Sequence, residues 1–162
     1  MAKHILSVMV ENKFGVLARI SGLIAGRGFN IDSLAVGETE DPTASRMTIV
    51  VDGDDKTVEQ VKKQLNRLID VISVQDLTKE EHLDLELFLC KVSVTPKTRP
   101  EMVEIAETLK GEVVDVGVKT ITVLLVGDQK KIKTFLELVK PYGVKEIVRT
   151  GRVAMSRDGG GN

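Results

Sequence analysis

Two hydrophobic periods alternate along this chain, and they alternate in the same order twice. Ile5, Leu6, Val8, Met9 and Val10 form a short, nearly all-apolar run that reads as a strand over 4–10. Asn12 to Phe14 break it, and Gly15 follows. Val16, Leu17, Ile20, Leu23 and Ile24 then recur at helical spacing. Gly26 and Gly28 end that helix, since a glycine past the last turn takes up the left-handed conformation at little cost. Ile31 to Val36 reads as a strand, Glu38 to Thr43 as a hairpin connection, and Met47 to Val51 as a β-branched strand closed by Asp52-Gly53-Asp54. Thr57 and Gln60 stand at capping-box spacing before a helix with Val58, Val61, Leu65 and Leu68 inward. Val71 to Leu77 completes the unit.

After the charged stretch Lys79 to Asp84 the order returns. Leu85 to Thr95 reads as a strand. Thr98 and Glu101 open a helix with Met102, Ile105, Ala106 and Leu109 inward, stopped by Gly111. Val113 to Val118 and Ile121 to Val126 are two strands, Ile132, Phe135, Leu136 and Val139 mark a second helix, and Val144 to Val153 is the last strand. Each half therefore reads β-α-β-β-α-β, the order of the ferredoxin-like split βαβ motif. The fold class this predicts is α+β: two ferredoxin-like βαββαβ domains, each an antiparallel four-stranded sheet with two helices on one face. The expected boundaries are a first domain over 4–78, a linker over 79–84, a second domain over 85–157 and a flexible tail over 158–162. Several strands are apolar on both sides, so the helix-free face is expected to be buried by the second half or by another chain. Units this small have small cores, which further favours association.

The chain is long enough for two such units at 162 residues. Lys plus Arg total 23 against 24 Asp plus Glu, a net charge of −1, which argues against nucleic-acid binding because that requires a basic excess. Aromatic residues are 3% with no Trp, so stacking platforms are not expected either. The lone Cys90, inside Leu87-Phe88-Leu89-Cys90, reads as a buried small hydrophobe and suits a reducing cytoplasm. The start, Met1-Ala2-Lys3-His4-Ile5, soon turns polar at Glu11 and reads as neither a signal peptide nor a membrane helix.

No catalytic constellation appears. His4 starts a strand and His82 sits in the charged linker, neither with a metal-ligand partner at useful spacing. There is no nucleophile elbow and no phosphate-binding glycine loop. Asp52, Asp54 and Asp55 read as solvated turn and helix-start charge in preference to a cation site. Gly22-x-x-x-Gly26 either permits close helix packing or merely weakens the helix. One loop stands apart, Glu11-Asn12-Lys13-Phe14-Gly15-Val16-Leu17. It joins a strand to a helix start, whose unsatisfied N–H groups attract a carboxylate. Gly15 admits a ligand close to the backbone, and the Asn12 amide can both donate and accept. The same residues also suit a simple turn, and on physics alone both readings stand.

The run Ile5-Leu-Ser-Val-Met-Val-Glu-Asn-Lys-Phe-Gly-Val-Leu-Ala-Arg-Ile-Ser-Gly-Leu-Ile-Ala-Gly-Arg-Gly-Phe-Asn-Ile-Asp-Ser-Leu34 resembles the start of the small, regulatory subunit of acetolactate synthase (acetohydroxyacid synthase). So do Ser45-Arg46-Met47-Thr48-Ile49-Val50 and Gln64-Leu65-Asn66-Arg67-Leu68-Ile69-Asp70-Val71, and Gly151 to Arg157 is similar to that family's usual finish. The first half as a whole resembles an ACT domain, an amino-acid-sensing module. The resemblance implies a chain without its own active site or cofactor. Its partner would be a large catalytic subunit carrying thiamine diphosphate, Mg²⁺ and FAD, in branched-chain amino-acid biosynthesis. This chain would raise that subunit's activity and make it sensitive to feedback inhibition, usually by valine. The family's effector site lies at the contact of two ACT domains of a homodimer. It carries over here to Asn12, Gly15, Val16 and Leu17 from one chain and Asn30 and Ile31 from the other. The competing expectation is a free-standing ACT-type sensor acting on another partner.

Overall fold

The computed structural model describes residues 2–158 and divides the chain into two compact units. The first holds β1 (Ala2–Glu11), α1 (Val16–Gly26), β2 (Asn30–Glu38), β3 (Ala44–Gly53), α2 (Asp55–Arg67) and β4 (Val71–Asp76). Its antiparallel sheet has the order β2-β3-β1-β4. Alternation along the strands sends Leu6, Val8 and Val10 of β1 and Met47, Ile49 and Val51 of β3 to one side. There they meet Val16, Ile20 and Ile24 of α1 and Val58, Val61 and Leu65 of α2 in one buried cluster. Both helices therefore cover one face, as the crossover rule requires. Gly22 and Gly26 have nothing within 4 Å of where a Cβ would sit, so no element of this chain packs closely on that stripe.

The second unit holds β5 (His82–Ser93), α3 (Arg99–Thr108), β6 (Glu112–Val116), β7 (Thr120–Gly127), α4 (Gln129–Val139), a 3-10 turn at Lys140–Tyr142 and β8 (Val144–Arg149). Its strands run β6-β7-β5-β8. Phe88, Cys90 and Val92 of β5 and Ile121, Val123 and Leu125 of β7 pack on Met102 and Ala106 of α3 and on Ile132, Phe135 and Val139 of α4. The Phe88 and Phe135 rings meet edge to face, centroids 6.1 Å apart.

Four local expectations need correction. The last strand does not run from Val144 to Val153: it ends at Arg149, Gly151 turns the chain at φ +86°, and a separate strand β9 (Val153–Ser156) follows. That strand belongs to the first unit, whereas the sequence placed everything to residue 157 in the second. Its Ala154 buries with Ile5, Val50 and Leu77, residues that alternate with the helix-facing ones and so line the opposite sheet face. The Arg152 N–H donates to Ser33 Oγ (2.7 Å) and the Ala154 N–H to Thr48 Oγ1 (3.3 Å). The helix-free face is thus covered in part by the chain's own C-terminal strand. Secondly, the charged linker is shorter than expected, because β5 already begins at His82. Thirdly, α2 is capped by Asp54 and not by Thr57: the Thr57 N–H donates to Asp54 Oδ1 at 2.7 Å. Lastly, the left-handed residue after α3 is Lys110 (φ +58°); Gly111 serves close approach instead, since a Cβ there would lie 3.1 Å from the Leu124 carbonyl oxygen. Of the expected tail, 159–162 lies outside the described residues.

Candidate functional site

β1 ends at Glu11 and α1 begins at Val16, and the loop between them is fixed from several sides. The Asn12 N–H donates to the Thr43 carbonyl (2.8 Å), while Asn12 Nδ2 donates to Glu38 Oε1 (3.2 Å) and to the Pro42 carbonyl (3.1 Å). Asn12 therefore ties the loop to the β2–β3 turn. Gly15 sits at the N-cap of α1 with φ +83° and ψ −6°, a conformation in which other residues are strained. Whereas Asp54 and Asp128 cap α2 and α4, no side chain caps α1. Its first-turn N–H groups lack an intrahelical acceptor by construction, that of Val16 donating back to the Lys13 carbonyl (3.4 Å), and the positive end of the helix lies beside Gly15. Val16 turns inward and is 3% exposed, whereas Leu17 stays 44% exposed on the outer side of the same turn. The Glu11 carboxylate bonds the Lys13 ammonium at 2.8 Å and raises its pKa, first through that hydrogen bond and then through its charge.

Asn30 and Ile31 open β2 at the other end of the sheet. Asn30 pairs with Asp52, Glu38 with Ser45 and Glu11 with Ala44 in the register. From Ala44 to Asp52 along β3, at about 3.3 Å per residue, is roughly 26 Å. The six expected site residues thus form two groups on opposite ends of one sheet, and a single chain does not bring them together. Asn30 is exposed and its Nδ2 donates to Asp32 Oδ1 (3.1 Å); Ile31 is half-buried against the core.

Residues that the sequence reading did not single out also shape the loop. Asp70, 8% exposed, accepts the Glu11 N–H at its carbonyl (2.8 Å) and pairs with Arg19 of α1 through its carboxylate. Glu38 and Pro42 hold the Asn12 amide. Spacing could not have found these partners, because all of them are far from the loop in sequence. An aspartate set between the apolar Ile69 and Val71 was the one available signal.

Elsewhere the titratable groups have structural roles. Asp54 caps α2, and the Thr57 hydroxyl and N–H hold its carboxyl below the usual range. Asp55 lies 3.6 Å from Lys79 and 3.3 Å from His4 Nε2. His82 Nδ1 is 2.8 Å from the Glu80 carbonyl. Cys90 is buried, and desolvation pushes its thiol up to about 11. Among the described residues no group of His, Cys, Asp and Glu could hold a metal ion, and no helix is long and apolar enough to cross a membrane.

The loop, the fold and the sequence can be set beside known proteins. The family model for the AHAS small subunit-like ACT domain matches residues 6–73, and that for the small subunit of acetolactate synthase matches residues 85–158. The acetolactate synthase small subunit of Aquifex aeolicus is 52% identical over 157 residues, covering 96% of this chain and 82% of that protein. The probable acetolactate synthase small subunit of Archaeoglobus fulgidus is 50% identical over 155 residues, covering 96% and 97%. The crystal structure of the small subunit from Thermotoga maritima superposes with a TM-score of 0.87 at 38% identity, covering 97% of this chain and 98% of that one. Both halves match one family in sequence and the whole matches it in fold, so the chain belongs to the acetolactate synthase small-subunit family, with an ACT domain in its first half.

Proposed function

We propose that this chain is a regulatory subunit without an active site of its own, acting in branched-chain amino-acid biosynthesis in the cytoplasm. It activates the large catalytic subunit of acetolactate synthase and makes it sensitive to feedback inhibition by valine. The observation that carries this reading is the uncapped start of α1 beside a left-handed Gly15. A free amino acid must keep hydrogen bonds on its carboxylate and ammonium when they leave water. The helix start offers donors to the carboxylate, and asparagine amides offer both donors and acceptors to the rest. Thiamine diphosphate, Mg²⁺ and FAD belong on the catalytic subunit in this reading.

The site is completed by a second copy of the chain. β2 is an edge strand, laddered to β3 on one side. Antiparallel pairing of two β2 edges about a two-fold axis sets the start of one β2 beside the end of the other. Asn30 and Ile31 of the second copy then lie next to Glu38, the residue that accepts from Asn12 Nδ2. This supports a site built from Asn12, Gly15, Val16 and Leu17 of one chain and Asn30 and Ile31 of the other.

The test is reconstitution with the large catalytic subunit. Addition of this chain should raise acetolactate formation, and valine should lower it again. A hydrogen bond to a charged group is worth about 1.5–3 kcal/mol, so Asn30→Ala should weaken valine binding about 10- to 100-fold. The complex should stay active and ignore valine. An unchanged valine inhibition curve for Asn30→Ala would show that the site lies elsewhere.

A further inference from the structure

Asp70 grips the Asn12–Gly15 loop at both ends. Its carbonyl accepts the N–H of Glu11, the last residue before the loop, at 2.8 Å. Its carboxylate, 11% exposed, pairs with Arg19, and the Arg19 N–H in turn donates to the Gly15 carbonyl at 3.1 Å. The same guanidinium reaches back over the loop: its Nη1 lies 3.4 Å from where a Cβ on Gly15 would sit. One amino group of Arg19 is thus held by Asp70 while the other faces the Gly15 backbone, and the side chain remains half exposed. No side chain caps α1, and this ion pair ties the first turn to the residue before β4, beside the apolar packing of Val16 with Val71 and Val74 in one core cluster.

We propose that Arg19, held by Asp70, is the positioning residue of the effector loop, setting the first-turn N–H groups of α1 in register for an α-carboxylate. This rests on the effector reading above. Arg19 acts through the loop and through the positive field it adds beside the helix start, a place where an anionic group binds and a neutral one gains less. Lysine should not replace it, because a single ammonium cannot serve Asp70 and the Gly15 side at once.

The test uses the full-length dimer and calorimetric titration with valine and with valinamide, which lacks the carboxylate charge. Arg19→Gln, Arg19→Lys and Asp70→Asn should each weaken valine binding about tenfold. The double variant Arg19→Gln/Asp70→Asn should be no weaker than either single one, since the pair acts as a unit. Valinamide binding should change less than threefold, so the preference for valine over valinamide falls. Valine affinity within threefold of wild type in Arg19→Gln overturns the proposal. So does a parallel loss of valine and valinamide together with a lowered melting temperature, which would mark a purely structural pair. If the wild-type dimer binds no branched-chain amino acid, the effector reading itself fails and takes this inference with it.

Discussion

Replacing Gly15 with alanine separates backbone strain from ligand contact. Gly15 has φ +83°, where an L-residue costs about 1–2 kcal/mol. The new Cβ would meet only Arg19 Nη1, at 3.4 Å, an ordinary contact with the end of a flexible side chain, so the strain dominates. The loop can answer in two ways. It can keep its shape and lower the stability of the first unit, by about 4–8 °C per kcal/mol for a unit of this size. Alternatively it relaxes, and only a fraction of molecules keeps the binding-competent loop; 1–2 kcal/mol then raises the apparent Kd for valine about 5- to 30-fold. Calorimetry and a thermal melt on the same sample measure both. The control is Gly143→Ala in the second unit, where φ is +100° and the nearest atom, Ser93 Oγ, is 3.6 Å away. It carries at least comparable strain and should lower the melting temperature without touching valine affinity. Wild-type valine affinity and stability in Gly15→Ala, or an equal loss of affinity in Gly143→Ala, would refute the reasoning.

Gly53→Ala should destabilise the first unit by about 1–3 kcal/mol, read as a lower melting temperature, because its Cβ would fall 1.9 Å from a ring carbon of buried Phe29. Gly127→Ala should cost much less, since its neighbour at 2.5 Å is the flexible Lys131 side chain; equal losses would contradict this account. Cys90 should resist a thiol reagent at pH 8 in the native protein and react with one equivalent on unfolding, its thiolate fraction being about one in a thousand at a pKa near 11. Burial favours the neutral thiol, so this group's contribution is complete below its ordinary value of 9.0 and declines as the pH rises from there toward 11. Native labelling within minutes at pH 8 would contradict the buried placement.

The element order was legible because each strand and helix carries its own period. Val58, Val61 and Leu65 fall on one helical face, and all three are buried. Leu6, Val8 and Val10 likewise point to one side of β1 while Ile5 points to the other. β9 was not legible as a separate strand, since nothing in Val144 to Ser156 marks which sheet its apolar residues will meet. Only Gly151 hints at a break, and its meaning depends on Ser33, Thr48 and Leu77 far away in the sequence. The loop could be singled out as a candidate because Asn12 and Gly15 precede a helix start. Its braces Glu38 and Asp70 were missed because a hydrogen-bond partner from another strand leaves no period.

A site divided between the ends of one sheet has a thermodynamic consequence. Asn12 and Asn30 lie roughly 26 Å apart by register within a chain, so in the proposed site valine would meet a full set of partners only where two chains join. Binding and pairing are then linked: valine must tighten the dimer by the same factor by which pairing tightens valine binding. Diluting the chain below its dimer dissociation constant should therefore weaken apparent valine affinity, and saturating valine should shift the sedimentation profile back toward dimer. Val36→Pro, in edge strand β2, removes a backbone donor that faces away from β3, because hydrogen-bonded pairs alternate from Thr39–Ala44 through Gly37–Arg46, and should impair both properties together. Circular dichroism checks that the first unit still folds, since the Val36 N–H is not used in the ladder with β3. Valine affinity independent of chain concentration across the dimer–monomer transition would mean that one chain holds the whole site, and the assignment of Asn30 and Ile31 to it would fall.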